Sequence, residues 1–198
     1  MSVAEDKVDG RTLRHQHRRP ELLDAAVEYI LEHGIAELSL RPMADELGVS
    51  HSTLIRHFGT KEALVTEVIE RIRSDLFNRP RTPVDDAPLG DVLRATWRRL
   101  CEPAERRQFV LLFEVVAMQA RDPERFGSLA PMLITDFLGP LEASLRSHGL
   151  SRRTASDVAT GFLAQVRGLQ LDLAVSGDQR RVDAAMNHYI DSITRTDL

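Results

Sequence analysis

A single cysteine, Cys101, stands in the 198-residue chain. That excludes an intramolecular disulfide framework and any zinc site built from several thiolates, and it fits a reducing compartment. Aromatic residues are scarce at 5%, and the 9 prolines are scattered, so no low-complexity class applies. Lysine is almost missing. Of 26 basic residues only Lys7 and Lys61 are lysine, and 30 acids bring the net charge to -4. A globally basic nucleic-acid coat is excluded, whereas a local basic surface is not. The most apolar stretch, residues 109–120, carries Glu114 and Gln119 and falls short of the roughly 20 residues that span a bilayer. The first ten residues, MSVAEDKVDG, lack the apolar run of a signal peptide. Together these features predict a cytoplasmic protein with no membrane partner.

Signatures of catalysis are also missing. There is no Gly-rich phosphate loop, no H-E-x-x-H and no G-x-S-x-G turn. Cys101 ends a helical segment beside Glu102 and reads as an inert thiol. His15 and His17 lie near the N-terminus, and His51 and His57 are six apart, so neither pair has helical metal-ligand spacing. Asp85 and Asp86 fall in a loop and read as solvated. No catalytic residue, metal or cofactor is expected. A helical enzyme remains the rival class, separated from a binding protein by whether a substrate is turned over.

What the chain does have is helical period. At 22.3 kDa and 42% hydrophobic content it can bury about 70% of its unfolded surface without a staple. Residues 1–10 are polar and acidic, and residues 11–19, RTLRHQHRR, carry four arginines and no acid. Neither has an apolar period, so residues 1–19 are expected to be a flexible basic arm. Pro20 suits a first helical turn, and Leu22, Leu23, Ala26, Val27 and Ile30 follow at helical spacing until Gly34. Ser39, Ser50 and Thr60 are expected N-caps for three further helices, ended in turn by Gly48, Gly59 and the loop 79–88, RPRTPVDDAP. Helical segments follow at about 89–101, 104–120, 123–129, 132–147, 152–176 and 178–195, with Pro140 expected to kink or split its helix. No stretch alternates as a strand would. The expected fold is all-α with about nine helices, divided into the arm, a unit at 20–60 and a unit at 61–198.

The informative stretch is SLRPMADELGVSHSTLIRHFGTK, residues 39–61. Two short helices joined by Gly48-Val49-Ser50 have the form of a helix-turn-helix. Met43, Ala44, Leu47, Val49, Leu54 and Phe58 would pack them together. His51, Ser52, Thr53, Arg56 and His57 remain for the outer face. Residues 47–61 contain no acid, a local positive surface in an acidic chain. A helix of this length fits the major groove, and Arg56 can reach guanine or a phosphate. The capped starts of the third and fourth helices offer N–H groups to phosphates, and Lys61 adds charge there. The plainer alternative is an ordinary helical hairpin with a solvated polar face.

At these residues the sequence resembles the TetR family of bacterial transcriptional repressors. The likeness runs over about residues 18–68, with Gly48-Val49-Ser50, Thr53-Leu54, His57-Phe58 and Lys61 in register with a family pattern like GVS-x-G-T-L-Y-x-HF-x-x-K. Two positions depart from it. Ser52 replaces the usual glycine and Ile55 the usual tyrosine, so Ile55 loses the backbone contact that tyrosine commonly makes. A thymine methyl would suit it instead. The resemblance implies that Ser39, His57 and Lys61 contact phosphates. It places His51, Ser52, Thr53 and Arg56 nearest the bases, counts the cap Ser50 among the DNA-binding residues, lets Arg41 reach either, and likens the arginine run to extensions that can touch DNA. It further implies a homodimer on double-stranded DNA, a pseudo-palindromic operator, and an unidentified small-molecule effector.

For the second half the resemblance is looser. Residues 168–190 look like the last two helices of the family, which form a four-helix bundle across a two-fold axis. Phe162, Val166, Leu169, Leu173, Met186 and Ile190 are the expected dimer residues, with Ile193 beside them, although the same residues would also serve as intrachain core. Trp97, Phe109, Phe113, Met118, Met132, Phe137 and Phe162 are large apolar residues of the middle helices, where an apolar ligand would sit. Gln165, with Gln119 and Arg167, offers polar anchors. Core packing is the alternative for each, and a DNA-binding protein without a ligand is the third functional class.

Overall fold

A computed structural model of the chain describes residues 10–78, 87–124 and 129–195; within them the side chains of residues 10–18, 76–78, 129, 130 and 132 are left out of the description. The side chains of Met132 and of the arginines before Arg19 are therefore not described, and most of the proline-rich loop lies outside the described residues. The described residues form nine α-helices and no strand. Two compact units divide between Ile72 and Arg73.

The first unit holds α1 (Gly10–His33), α2 (Leu40–Glu46), α3 (His51–Phe58) and the start of α4 (Lys61–Asn78). Leu22, Ala26 and Ile30 recur at four-residue spacing along α1, and all three are buried. The helix begins ten residues before the expected start, and Pro20 lies inside it. The segment 10–19, expected as a flexible arm, is thus helical, in keeping with the low helix penalty of arginine, leucine and glutamine. The division falls inside α4 and not before it. Leu64, Val65, Val68, Ile69 and Ile72 are all buried, so the apolar stripe of α4 belongs to the first core from its first turn.

The second unit holds α5 (Leu89–Leu100), α6 (Pro103–Arg121), α7 (Leu129–Ser147), α8 (Arg152–Ser176) and α9 (Gln179–Arg195). Pro103 occupies the first turn of α6, where a missing N–H costs nothing. Pro140 does not split its helix: α7 runs continuously through it. Residues 123 and 124 form a turn, so the helix expected at 123–129 does not start there. Helix α8 packs against α6, α7 and α9, and α9 also packs against α5. At Gly161 a side chain would begin 2.9 Å from the Tyr189 hydroxyl, so a glycine lets α9 approach α8. One core joins α5, α7, α8 and α9 through Leu93, Trp97, Leu145, Phe162, Leu173 and Met186. The Trp97 indole N–H donates to Asp183 Oδ1 at 2.7 Å, which satisfies its one polar atom. The Gln170 amide donates to the Leu100 carbonyl at 3.0 Å, filling an acceptor left open at the end of α5. No described helix is long and apolar enough to cross a membrane.

Candidate nucleic-acid interface and cavity

The turn between α2 and α3 closes through two backbone bonds, Val49 N–H to the Ala44 carbonyl at 2.9 Å and Gly48 N–H to the Asp45 carbonyl at 3.2 Å. This is the Schellman pattern. It requires a left-handed residue at position 48, and Gly48 has φ +65°, a conformation that costs a glycine little. Ser50 then caps α3 by accepting from the Thr53 N–H at 3.1 Å. Its Oγ also lies 2.8 Å from Ser52 Oγ and 2.9 Å from Thr53 Oγ1. The Ser50 hydroxyl is therefore occupied in shaping the helix start. Thr60 does the same for α4, accepting from the Ala63 N–H at 3.1 Å.

Leu54 and Phe58 turn into the core of the unit, which leaves His51, Ser52, Ile55 and Arg56 exposed on α3. Thr53, His57 and Lys61 are half-buried, and Ser39 and Arg41 are exposed at the start of α2. Ser39 has extended N-cap geometry but makes no side-chain cap bond. The outer surface of α3 thus carries short hydroxyls, two histidines, one arginine and one apolar residue, with no acid between residues 47 and 61. Such a surface can approach base edges closely and meet phosphates without repulsion.

Arg19 plays a part the sequence did not reveal. Its guanidinium donates to both oxygens of Glu67, at 2.7 and 2.8 Å, and to the His57 carbonyl at 3.3 Å. It also lies 5.3 Å above the Phe58 ring. It clamps α1 to the end of α3 and to α4. A lone arginine at the end of a basic run reads as a free charge because its partner stands 48 residues away. A second surface contact, His33 to Glu46 at 3.8 Å, joins the end of α1 to α2. With Glu32 these groups bring three ligand-type atoms within 4.8 Å, all exposed, as surface ion pairs commonly are.

In the second unit a cavity of about 200 Å³ opens between α5, α6, α7 and α8. Of the expected pocket residues, Phe109, Phe113 and Phe137 line it. Phe109 and Phe113 stand one turn apart with ring centroids 5.9 Å apart. Trp97 and Phe162 do not line it. They are 2% and 0% exposed and belong to the core. Met118 and Gln165 are not among its walls either, whereas Arg167 and Gln170 are.

Of the two uses expected for the apolar residues of α8 and α9, the single chain shows the intrachain core. Phe162, Val166, Leu173, Met186 and Ile190 are buried within the single chain. Leu169 is half-buried against the same core. Cys101 is buried too, and burial pushes its thiol up to about 11. At neutral pH it is protonated and poorly nucleophilic. Alkylation by iodoacetamide at pH 7.5 is expected to be at least about tenfold slower in the native protein than after unfolding; equal rates would contradict this.

The model of the tetR family of bacterial regulatory proteins matches residues 22–68, the stretch that builds this helix-turn-helix. The HTH-type transcriptional repressor KstR2 of Rhodococcus jostii (strain RHA1) is 27% identical over 181 residues, covering 87% of each chain. The HTH-type transcriptional regulator UidR of Escherichia coli (strain K12) is 25% identical over 175 residues, covering 83% of this chain and 89% of its own. The crystal structure of a transcriptional regulator from Rhodococcus sp. Rha1 shares the fold, with a TM-score of 0.75 at 23% identity over 88% of this chain and 95% of that one. The likeness thus extends from the helix-turn-helix to the order of the helices that follow it: residues 22–68 match the tetR family of bacterial regulatory proteins, and the full-length relatives are named as HTH-type transcriptional regulators.

Proposed function

We propose that the protein is a cytoplasmic homodimer that binds a pseudo-palindromic operator with α3 in the major groove and releases it when a small molecule enters the second unit. The observation that carries the DNA reading is the acid-free exposed face of α3. Ser52 and His51 bring the helix start near the bases, Arg56 reaches guanine O6 and N7, and Ile55, 39% exposed, meets a thymine methyl. Ser39, His57 and Lys61 hold phosphates, with Arg41 between the two roles. The four-residue N-terminal grip of α4, capped by Thr60, adds backbone N–H groups.

For the dimer, the exposed face of α8 is the better candidate. Ala164, Gly168, Leu171 and Val175 are exposed and lie on one side of that helix, with Leu171 40% and Val175 84% exposed. Two copies facing each other there would bury that stripe, and two-fold symmetry would set the recognition helices to two half-sites about 34–36 Å apart. The cavity supports the effector reading. A ligand that favours another helix arrangement lowers DNA affinity by its differential binding, typically about 1–3 kcal/mol. Helix α4 begins in the first unit and ends in the second, so it is the connection through which a change travels. The repressor among the relatives favours repression over activation.

Two substitutions test the DNA reading on an operator obtained by selection from random duplexes. Lys61→Ala is expected to weaken binding to all sequences alike and to reduce the log–log salt slope by about one per protomer. An unchanged slope removes Lys61 from the interface. Arg56→Ala is expected to relax preference at particular base pairs, at a cost of about 1–3 kcal/mol. A loss uniform across sequences would make Arg56 a phosphate contact.

A further inference from the structure

The cavity walls carry three charged side chains, and their signs do not cancel. Arg99 on α5 lies 3.9 Å from the carboxylate of Glu105 on α6, and Glu105 is buried. Those two charges offset one another. Arg167, on α8, also lines the cavity and is half-buried. Among the described residues it has no carboxylate or hydrogen-bond partner. Gln170, the other polar wall residue, donates its amide N–H to the Leu100 carbonyl. The remaining walls are apolar, with the phenyl rings of Phe109, Phe113 and Phe137 among them. Among the described residues, one guanidinium without a counter-charge therefore faces a largely apolar chamber.

A cation taken out of water without a counter-charge is costly. Here burial alone lowers the affinity of Arg167 for its proton. Any occupant that brought a second cation would add repulsion, and a neutral one would cover the charge without satisfying it. A carboxylate would accept two parallel N–H bonds from the guanidinium fork, the pairing that arginine geometry favours. Size narrows the class. An engineered cavity of about 150 Å³ accommodates benzene, so a chamber of about 200 Å³ takes a fused bicyclic ring or its equivalent length of chain.

We propose that this cavity selects a small apolar organic anion, a carboxylate on a hydrocarbon body of one or two rings, with Arg167 as the residue that reads its charge. The proposal rests on the cavity being the effector site and adds the chemical class. The test uses the full chain and three probes of one shape in calorimetric titration: a naphthalene carboxylate, its carboxamide and its aminomethyl analogue. The carboxylate is expected to bind at least about tenfold more tightly than the carboxamide, and the amine most weakly. Arg167→Met is expected to abolish the preference while leaving carboxamide affinity within about threefold, and Arg167→Lys to restore part of it. Operator binding by each unliganded variant checks that it folds. Equal affinity for carboxylate and carboxamide, or a preference that survives Arg167→Met, overturns the role of Arg167. Failure of all three probes to bind overturns the proposal as a whole. In each case intact operator binding by the wild-type chain leaves the regulator reading standing, and only loss of that binding counts against it.

Discussion

A chain carrying both Leu171→Asp and Val175→Asp is expected to be monomeric and to lose operator affinity by about 10²–10⁴-fold. The two positions lie on the exposed side of α8, at 40% and 84% exposure in the single chain, so neither change disturbs the core. In a two-fold contact each aspartate would face its own symmetry mate or a near neighbour, and like charges placed together across an interface cost several kcal/mol. The loss on DNA follows from arithmetic. Two linked recognition helices turn the second half-site into an intramolecular event, and a monomer forfeits that gain. The salt slope should fall to roughly half, because half the phosphates are engaged. Analytical ultracentrifugation and anisotropy titration of the same samples check both parts. A variant that stays dimeric and binds the operator normally would move the interface off this face.

Phe162→Ala is expected to destabilise the chain by about 3–5 kcal/mol. Phe162 is 0% exposed and sits in the core that joins α5, α7, α8 and α9. Removing its ring leaves a void among Trp97, Val166 and their neighbours, and the lost contacts add to the lost transfer energy. The two roles its apolar type suggests, pocket wall and dimer contact, would give a different outcome. A pocket residue truncated to alanine enlarges a space that already exists, and a dimer residue leaves the monomer's stability nearly unchanged. Urea denaturation of the Leu171→Asp/Val175→Asp background separates them, because no dimer then contributes to stability. A loss below about 1 kcal/mol would place Phe162 outside the core.

The contrast between Gly48 and Phe162 explains which parts of the fold were legible in the sequence. The turn at Gly48-Val49-Ser50 is closed by atoms within six residues of one another, so its chemistry is local and the residue types suffice to read it. The same holds for the caps at Ser50 and Thr60. Phe162 and Phe137 are identical in type and both fall on a helical apolar face. One is core and the other lines a cavity because of which helices happen to meet there, a non-local fact. Met186 and Leu173 illustrate the same limit: period identifies an apolar face, but not whether the chain or a partner covers it. Arg19 looks like part of a free basic run in sequence because Glu67, its partner, lies on another helix. The apolar period of α4 does not change where one compact unit gives way to the next, so the division after Ile72 is not legible in it.

The central claim is that the acid-free face of α3 reads DNA sequence. It is tested most directly by fluorescence anisotropy titration of the wild-type protein with duplex DNA from the region upstream of its own gene, against a scrambled duplex of equal length and composition, across a salt series. The expected result is binding to the natural duplex at least about 10³-fold tighter than to the scrambled one, with a negative log–log salt slope for both. Weak binding of equal strength to both duplexes, repeated with DNA recovered by genome-wide pull-down, would contradict it.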